Sequence, residues 1–365
     1  MLAELVKLMS KPKAYTIREL AEVAGLSVGA VSYALRGHPS VSDATIERVR
    51  ALAVEMDYRP DPRLSTLMAQ IRRSQSPRER EVLGWIWLSS KKISEQHFGQ
   101  MVFAGAQRRA EQLGCSLEPF WLNGAGMTPK RLHKILRTRG ISGILLSPEM
   151  ERNYMTVDWD WSAFACAIIG MTEWSPVLHR VGHDYYRSVW ISMQRMREAG
   201  LKQPAFIMSR SIDDRLHHMQ LAAFRTMHPD PSIADSLIQY VDDSEKPELK
   251  PWPKDFQPDA ILLAMGADDR FYRILRQCFP TVKHYFTLNW GETGVVPGIC
   301  TRYDLIAGVA VDLVLAQLHR NERGIPDPAT AVLLQGEWRE VPNVVLGTPL
   351  KRQKPAKKKR VKKAS

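Results

Sequence analysis

Several features are missing from the 365-residue chain, and each absence excludes a class of protein. No apolar stretch approaches the roughly 18 residues that a membrane-spanning helix needs. The N-terminal run MLAELVKLMSKPK has no small-residue cleavage site and is not expected to act as a signal peptide. There are only four cysteines, Cys115, Cys166, Cys278 and Cys300, far apart and without a CxxC pair. Neither a zinc site nor a disulfide framework is expected from them. Cys166 and Cys300 lie in apolar runs and are expected in cores, a usage that fits a reducing cytoplasm. GxSxG, a Walker loop, HExxH and GxGxxG are all absent, so no enzymatic activity and no cofactor is expected.

Charge is plentiful but unevenly placed. Residues 1–80 hold 13 Lys/Arg against 9 Asp/Glu, and residues 344–365 hold nine Lys/Arg and no acid. The middle is close to neutral. Basic ends point to a polyanionic partner, and a neutral middle to a different task.

The basic N-terminal part contains three short helical patterns. Thr16 with Glu19 three positions on is a capping box, which starts a first helix at Ile17. Leu20, Val23 and Ala24 give it an apolar face, and Gly25 ends it. Ser27 caps a second helix with Val31, Ala34 and Leu35 inward and Gly37 at its end. Ser42 caps a third, with Ile46, Val49, Leu52, Ala53 and Met56 at helical spacing. Two short helices joined by a glycine turn make a helix-turn-helix, whose second helix lies in the major groove.

The run YTIRELAEVAGLSVGAVSYALRGHPSVSDATIERVRALAVEMDYRP resembles the lac repressor family of bacterial regulators. The shared marks are the TI start, the AxxAGxS turn, VS in the second helix, the following glycine, VSxxT with RV, and an aromatic-x-Pro close. The resemblance implies that Val28, Gly29 and Tyr33 face bases. Ser27, Ala30 and Ser32 lie nearby, the two serines able to donate to phosphates. Thr16 and Arg36 complete this candidate set. Ala30 stands where the family usually has Thr, Gly29 has no side chain, and Tyr33 replaces Arg or His. Tyr33 either contacts a base, through a thymine methyl or an acceptor, or packs on the first helix.

After Pro60-Asp61-Pro62, residues 63–73 can form a short helix, followed by a polar linker to residue 80. The resemblance implies a hinge helix that pairs in the minor groove, with Leu67 as the wedging leucine. Arg63, Arg72 and Arg73 can each neutralise a phosphate. The alternative is a plain linker.

From residue 82 strands alternate with helices, as in parallel sheets. Strands are expected at 82–88, 117–122, 141–146, 166–169, 205–208, 237–241, 260–264 and 284–288. Helices are expected at 98–113, 128–139, 186–199, 214–227, 268–277 and 303–321. The fold class is an N-terminal all-α helix-turn-helix bundle plus an α/β two-lobed, periplasmic-binding-protein-like domain with parallel doubly wound sheets. Domains are expected at 13–60 (helix-turn-helix), 61–80 (hinge helix and linker), 81–345 (two-lobed effector and dimerisation domain) and 346–365 (disordered basic tail). Lobe one takes 81–173 and the 303–321 helix, and lobe two takes 174–300 and a last strand near 330–345.

Ligands in such folds bind at the carboxyl ends of strands. The resemblance puts an effector in the cleft, touched by residues after the first strand, here His97 and Phe98. The family's usual Arg before a lobe-two GF is Gln220, its Asn-Asp is Met265-Gly266, and its later Asp is Asn289, followed by Trp290. Asn289, Gln220, Trp290 and Arg215 would form a monosaccharide site. Asp184 keeps a familiar acidic position, largely structural in the family. His217-His218 with Asp213-Asp214 is not expected to bind metal, because adjacent side chains on a helix face apart.

The expected function is sequence-specific DNA binding by a cytoplasmic, nucleoid-associated homodimer. It would act as a transcriptional regulator, a repressor, on a palindromic double-stranded operator under control of a small-molecule effector such as a carbohydrate. The alternatives are an architectural DNA-binding protein without effector, or a solute-binding protein. The lysine-rich tail either adds non-specific DNA affinity or only solubilises.

Overall fold

The computed structural model describes residues 15–35, 37, 41–56, 58, 81–88, 97–241, 248–264, 269–291 and 294–341. The expected hinge and linker, the basic tail, Arg36, Arg63, Leu67, Met265 and Gly266 lie outside them.

Helix α1 (Ile17–Ala24) begins with both halves of its capping box made. Thr16 Oγ1 accepts from Glu19 N at 3.3 Å, and Thr16 N donates to Glu19 Oε2 at 2.7 Å. Gly25 then turns the chain at φ 65°, a region open to glycine at no steric cost. Helix α2 (Val28–Leu35) is capped by Ser27, whose Oγ accepts from Ala30 N at 3.1 Å. Helix α3 (Asp43–Glu55) starts after Ser42, but that hydroxyl bonds Thr45 Oγ1 at 2.9 Å instead of a backbone N–H. Leu20, Val31, Ala34 and Val49 are fully buried between the helices. Each larger apolar side chain contributes about 1.5–3 kcal/mol there. Val23, expected in this core, is 59% exposed, and Ala21 takes its place.

The body holds two six-stranded sheets among the described residues. Lobe one comprises β1 (Val82–Trp87), α4 (His97–Gln112), β2 (Ser116–Trp121), α5 (Pro129–Thr138), β3 (Gly143–Leu146), β4 (Tyr154–Thr156), β5 (Ala165–Ile169), β6 (Glu173–Ser175) and β7 (Arg180–His183). Strands β4 and β6 pair apart from the main sheet. Lobe two follows with α6 (Tyr185–Glu198), β8 (Pro204–Ser209), α7 (Arg210–Arg215), α8 (Met219–Met227), β9 (Ile238–Val241), β10 (Ala260–Leu263), α9 (Asp269–Cys278), β11 (His284–Thr287) and β12 (Gly298–Cys300). Helix α10 (Tyr303–Arg320) returns to lobe one, then β13 (Ala331–Leu334) and β14 (Glu337–Arg339) close the two sheets.

The strand orders are β13-β7-β5-β3-β1-β2 and β14-β12-β11-β10-β8-β9. All described pairings are parallel except β12 with β14. Helices cover both faces, so central strands such as β3 and β10 are buried at every position. One lobe-one core lies between the sheet and helices α4 and α10, the other under α5.

Three expectations are corrected. Lobe one extends through β7, because β7 pairs with β5 beyond the expected boundary at 173. The expected last strand is two strands. Residues 331–334 pair with β7 in lobe one, and residues 337–339 with β12 in lobe two. The single helix expected at 214–227 is two, broken where His217 and His218 take φ 49° and 59°. Helical periodicity continues across that break in the sequence and hides it. Of the cysteines, Cys166 is buried, with burial pushing its thiol up to about 12, while Cys300 is half-buried at a strand end.

Helices α4 and α10 cross so closely that a Cβ on Gly105 would meet the backbone of Asp304 at 2.3 Å. Backbone cannot swing aside as a side chain can. Gly105→Ala is expected to destabilise lobe one by about 1–3 kcal/mol, read as a lower melting temperature. An unchanged melting temperature would show that the helices can separate without cost.

Candidate functional site

The helix-turn-helix presents one surface and buries another. Val31 and Ala34 face the small core, whereas Ser27, Val28, Gly29 and Tyr33 face solvent, Val28 at 42% and Tyr33 at 45% exposure. Ala30 and Ser32 are half-buried beside them. Among the described residues, the N-terminal turn of α2 thus faces solvent. Thr16 is exposed as well, but its hydroxyl is engaged with Glu19. Arg36, Arg63 and Leu67 belong to the undescribed residues.

The second site is set by where the chain passes between lobes. It does so after β7, after β12, and between β13 and β14, and the three passages meet. Asp184 N donates to Leu334 O at 2.8 Å. Arg302 Nη1 lies 3.6 Å from Glu337 Oε2. Gly336 sits so near Ile299 and His183 that a Cβ would come within 2.3 and 2.9 Å of them. Asp184 caps α6 by accepting from Arg187 N at 2.8 Å, a structural role. The hydroxyls of Tyr185 and Tyr303 hydrogen-bond across this junction. Burial raises both phenol pKa values, so the pair is neutral.

In front of these passages lies a cavity of about 280 Å³ between the lobes. Phe98, Arg215, Gln220 and Asn289, four of the six expected effector residues, line it. The other two do not. His97 opens α4 on the exposed side, and the Trp290 indole lies over Gly294. Glu149, Thr172, Tyr185 and Tyr303 line the cavity and were not anticipated. Their signal was positional: Glu149 and Thr172 follow strands β3 and β5, at the carboxyl ends where such sheets bind ligands. Lobe two also reaches across the opening. Arg215 Nη2 donates to Met150 O at 2.9 Å, and His217 Nε2 lies 3.1 Å from Glu173 Oε2. Both contacts start from the α7–α8 break.

That break corrects the argument about Asp213, Asp214 and His218. The helix does not continue, so potential ligand atoms of all three lie within 4.8 Å of one another. They are engaged internally: Asp213 Oδ2 accepts from Tyr240 Oη at 2.6 Å and pairs with His218 Nδ1 at 2.8 Å.

Residues 16–61 match the family described as bacterial regulatory proteins, lacI family. No curated protein matches the chain. Among solved structures, a LacI-family transcriptional regulator protein from Rhizobium etli is 13% identical with a TM-score of 0.52, over 72% of this chain and 98% of that one. The lac repressor dimer bound to operator and the anti-inducer ONPF is 17% identical, TM-score 0.49, over 89% and 98%. The transcriptional regulator CelR in complex with cellobiose is 16% identical, TM-score 0.48, over 89% and 98%. The chain's own class is a helix-turn-helix followed by a two-lobed α/β body. The resemblance read from the sequence is met by this family match over residues 16–61. No helix among the described residues is long and apolar enough to cross a membrane.

His183, at the first passage, gives the body an acid-sensitive point. Its Nε2 pairs with Ser188 Oγ at 2.6 Å, and burial lowers its pKa from 6.5 to about 4. The folded chain keeps it neutral while the unfolded chain gains a proton as pH falls through 6.5. Stability is thus complete above that pH and declines by about 3 kcal/mol down to pH 4. Thermal melts between pH 7.5 and 5 are expected to show this decline, and His183→Asn to flatten it. Equal slopes would assign the decline to other groups.

Proposed function

We propose that this chain is a sequence-specific DNA-binding transcriptional regulator, acting as a homodimeric repressor whose affinity for a palindromic operator responds to a small molecule in the interlobe cavity. The observation that carries the reading is the pairing of two unlike sites in one chain. The solvent-facing N-terminal turn of α2 belongs to a segment that matches a regulatory family, and the rest of the chain forms a cleft between two lobes joined by three short passages. The operator-bound and sugar-bound forms of the structurally similar proteins named above motivate the search for both kinds of partner. A cytoplasmic, nucleoid-associated protein is the setting this implies.

Each partner has a physical role. A helix-turn-helix reads one half-site, so a two-fold dimer suits a palindrome. Val28 and Tyr33 supply apolar and hydroxyl contacts, and Gly29 lets the backbone approach the groove. The ligand shifts DNA affinity only by as much as its own affinity differs between the lobe arrangements. Arg215–Met150 and His217–Glu173 span the opening, and those contacts would change when the lobes move. Residues 61–80 would carry that change to the DNA, with Leu67 as the wedge.

Selection from a random DNA pool at near-physiological salt tests the reading. A palindromic motif with a flexible central step is expected, and recovery of no motif would defeat it. On the selected site, Tyr33→Ala is expected to weaken specific binding by about 1–3 kcal/mol with little change on unrelated DNA. Leu67→Ala should behave likewise, whereas equal losses on both kinds of DNA would remove the wedge assignment.

A further inference from the structure

Building on the effector reading above, we propose that the interlobe cavity binds an apolar α-amino acid in its zwitterionic form. Its volume of about 280 Å³ lies just below the roughly 300–1,000 Å³ of pockets for drug-sized ligands, so the occupant is a compact monomer. Much of its wall is hydrocarbon or thioether: Phe98, Met150, Met171, Ile212, Leu216 and Leu288. A polyhydroxylated ring would leave those hydroxyls that point at this wall without partners, which is unfavourable in a buried site.

Besides the hydroxyls of Thr172, Tyr185, Thr301 and Tyr303 and the Asn289 amide, the cavity is lined by three charged or amide side chains. Glu149 from lobe one is 3% exposed, and Gln220 from lobe two is 2% exposed. Arg215, also from lobe two, brings a cation. Gln220 Oε1 and Arg215 Nε are buried without a hydrogen-bond partner among the described residues. One is an acceptor and the other a donor. The site therefore asks for a molecule carrying both an N–H donor and an oxygen acceptor on an apolar body, in surroundings that offer one positive and one negative charge.

An α-amino acid meets each requirement. Its carboxylate accepts from Arg215 Nε. Its ammonium donates to Gln220 Oε1 and is favoured by the Glu149 carboxylate. Its side chain lies on the apolar wall, where the two methionines adapt to different shapes. The hydroxyls of Tyr185 and Tyr303 are engaged with each other, and Asn289 stands at the exposed rim. Because Glu149 and Arg215 belong to different lobes, a zwitterion binds both and favours one spacing of the cleft.

Calorimetric titration of the full chain tests this. The probes are L-leucine, L-methionine and L-phenylalanine, the methyl ester and N-acetyl form of each, and glucose, cellobiose and adenine. At least one free amino acid is expected to bind, with at least a tenfold loss on esterification or acetylation. Arg215→Gln and Gln220→Leu, each checked for native circular dichroism, are expected to weaken that binding at least tenfold. Binding of a sugar or adenine without any amino acid would overturn the inference and leave the effector reading standing. Binding of esters as tightly as free acids, indifference to both substitutions, or no binding by any probe would also overturn it. If an amino acid binds as expected but does not alter affinity for the selected operator, the inference stands and the ligand-switch reading falls.

Discussion

The body of this protein depends on a close approach of three chain passages between its lobes. His183–Asp184, Cys300–Arg302 and the turn at Gly336 meet where no Cβ fits on the last of them. The Asp184–Leu334 hydrogen bond and the Arg302–Glu337 contact tie the passages to one another. Short connections packed in this way restrict how the lobes move, since packed interiors have discrete rather than continuous arrangements. The cavity opens in front of them, so its width is coupled to their geometry. Arg302 itself takes φ 51° at the second passage, a conformation that costs a side-chain-bearing residue energy and is held by its surroundings.

The same logic applies to the break between α7 and α8. Two consecutive histidines with positive φ end one helix and redirect the next. His218 is held by its pairing with buried Asp213, while Arg215 and His217 reach the opposite lobe. A continuous helix would point these side chains along one cylinder and could not reach Met150 and Glu173 together. Local strain here serves the closure of the cleft, and Gln220, the second residue of α8, is placed inside the cavity as a consequence.

The helix-turn-helix was legible because its determinants are local. The capping box of Thr16 and Glu19, the left-handed Gly25 and the Ser27 cap act over three or four residues, and the structure has each of them. Most body strands were equally plain, as continuous apolar runs buried on both faces. The short strands β4, β6, β7 and β12 were not, because Tyr-Met-Thr, Glu-Trp-Ser, Arg-Val-Gly-His and Gly-Ile-Cys form no continuous apolar run. The split of the last strand was hidden for another reason. Which sheet a strand joins depends on partners distant in sequence: β13 pairs with β7, and β14 with β12.

By itself, the sequence determined the elements whose causes lie within a turn or a run: caps, glycine stops, apolar periods, and the basic ends around a neutral middle. It also placed Phe98, Arg215, Gln220 and Asn289 as candidates for one pocket. Only the tertiary structure decided that His97 and Trp290 stand outside that pocket, that Glu149 stands within it, and that the histidine pair breaks a helix. These depend on how two separately wound sheets are joined by passages far apart along the chain. A local pattern holds no information about what a side chain meets once those passages come together.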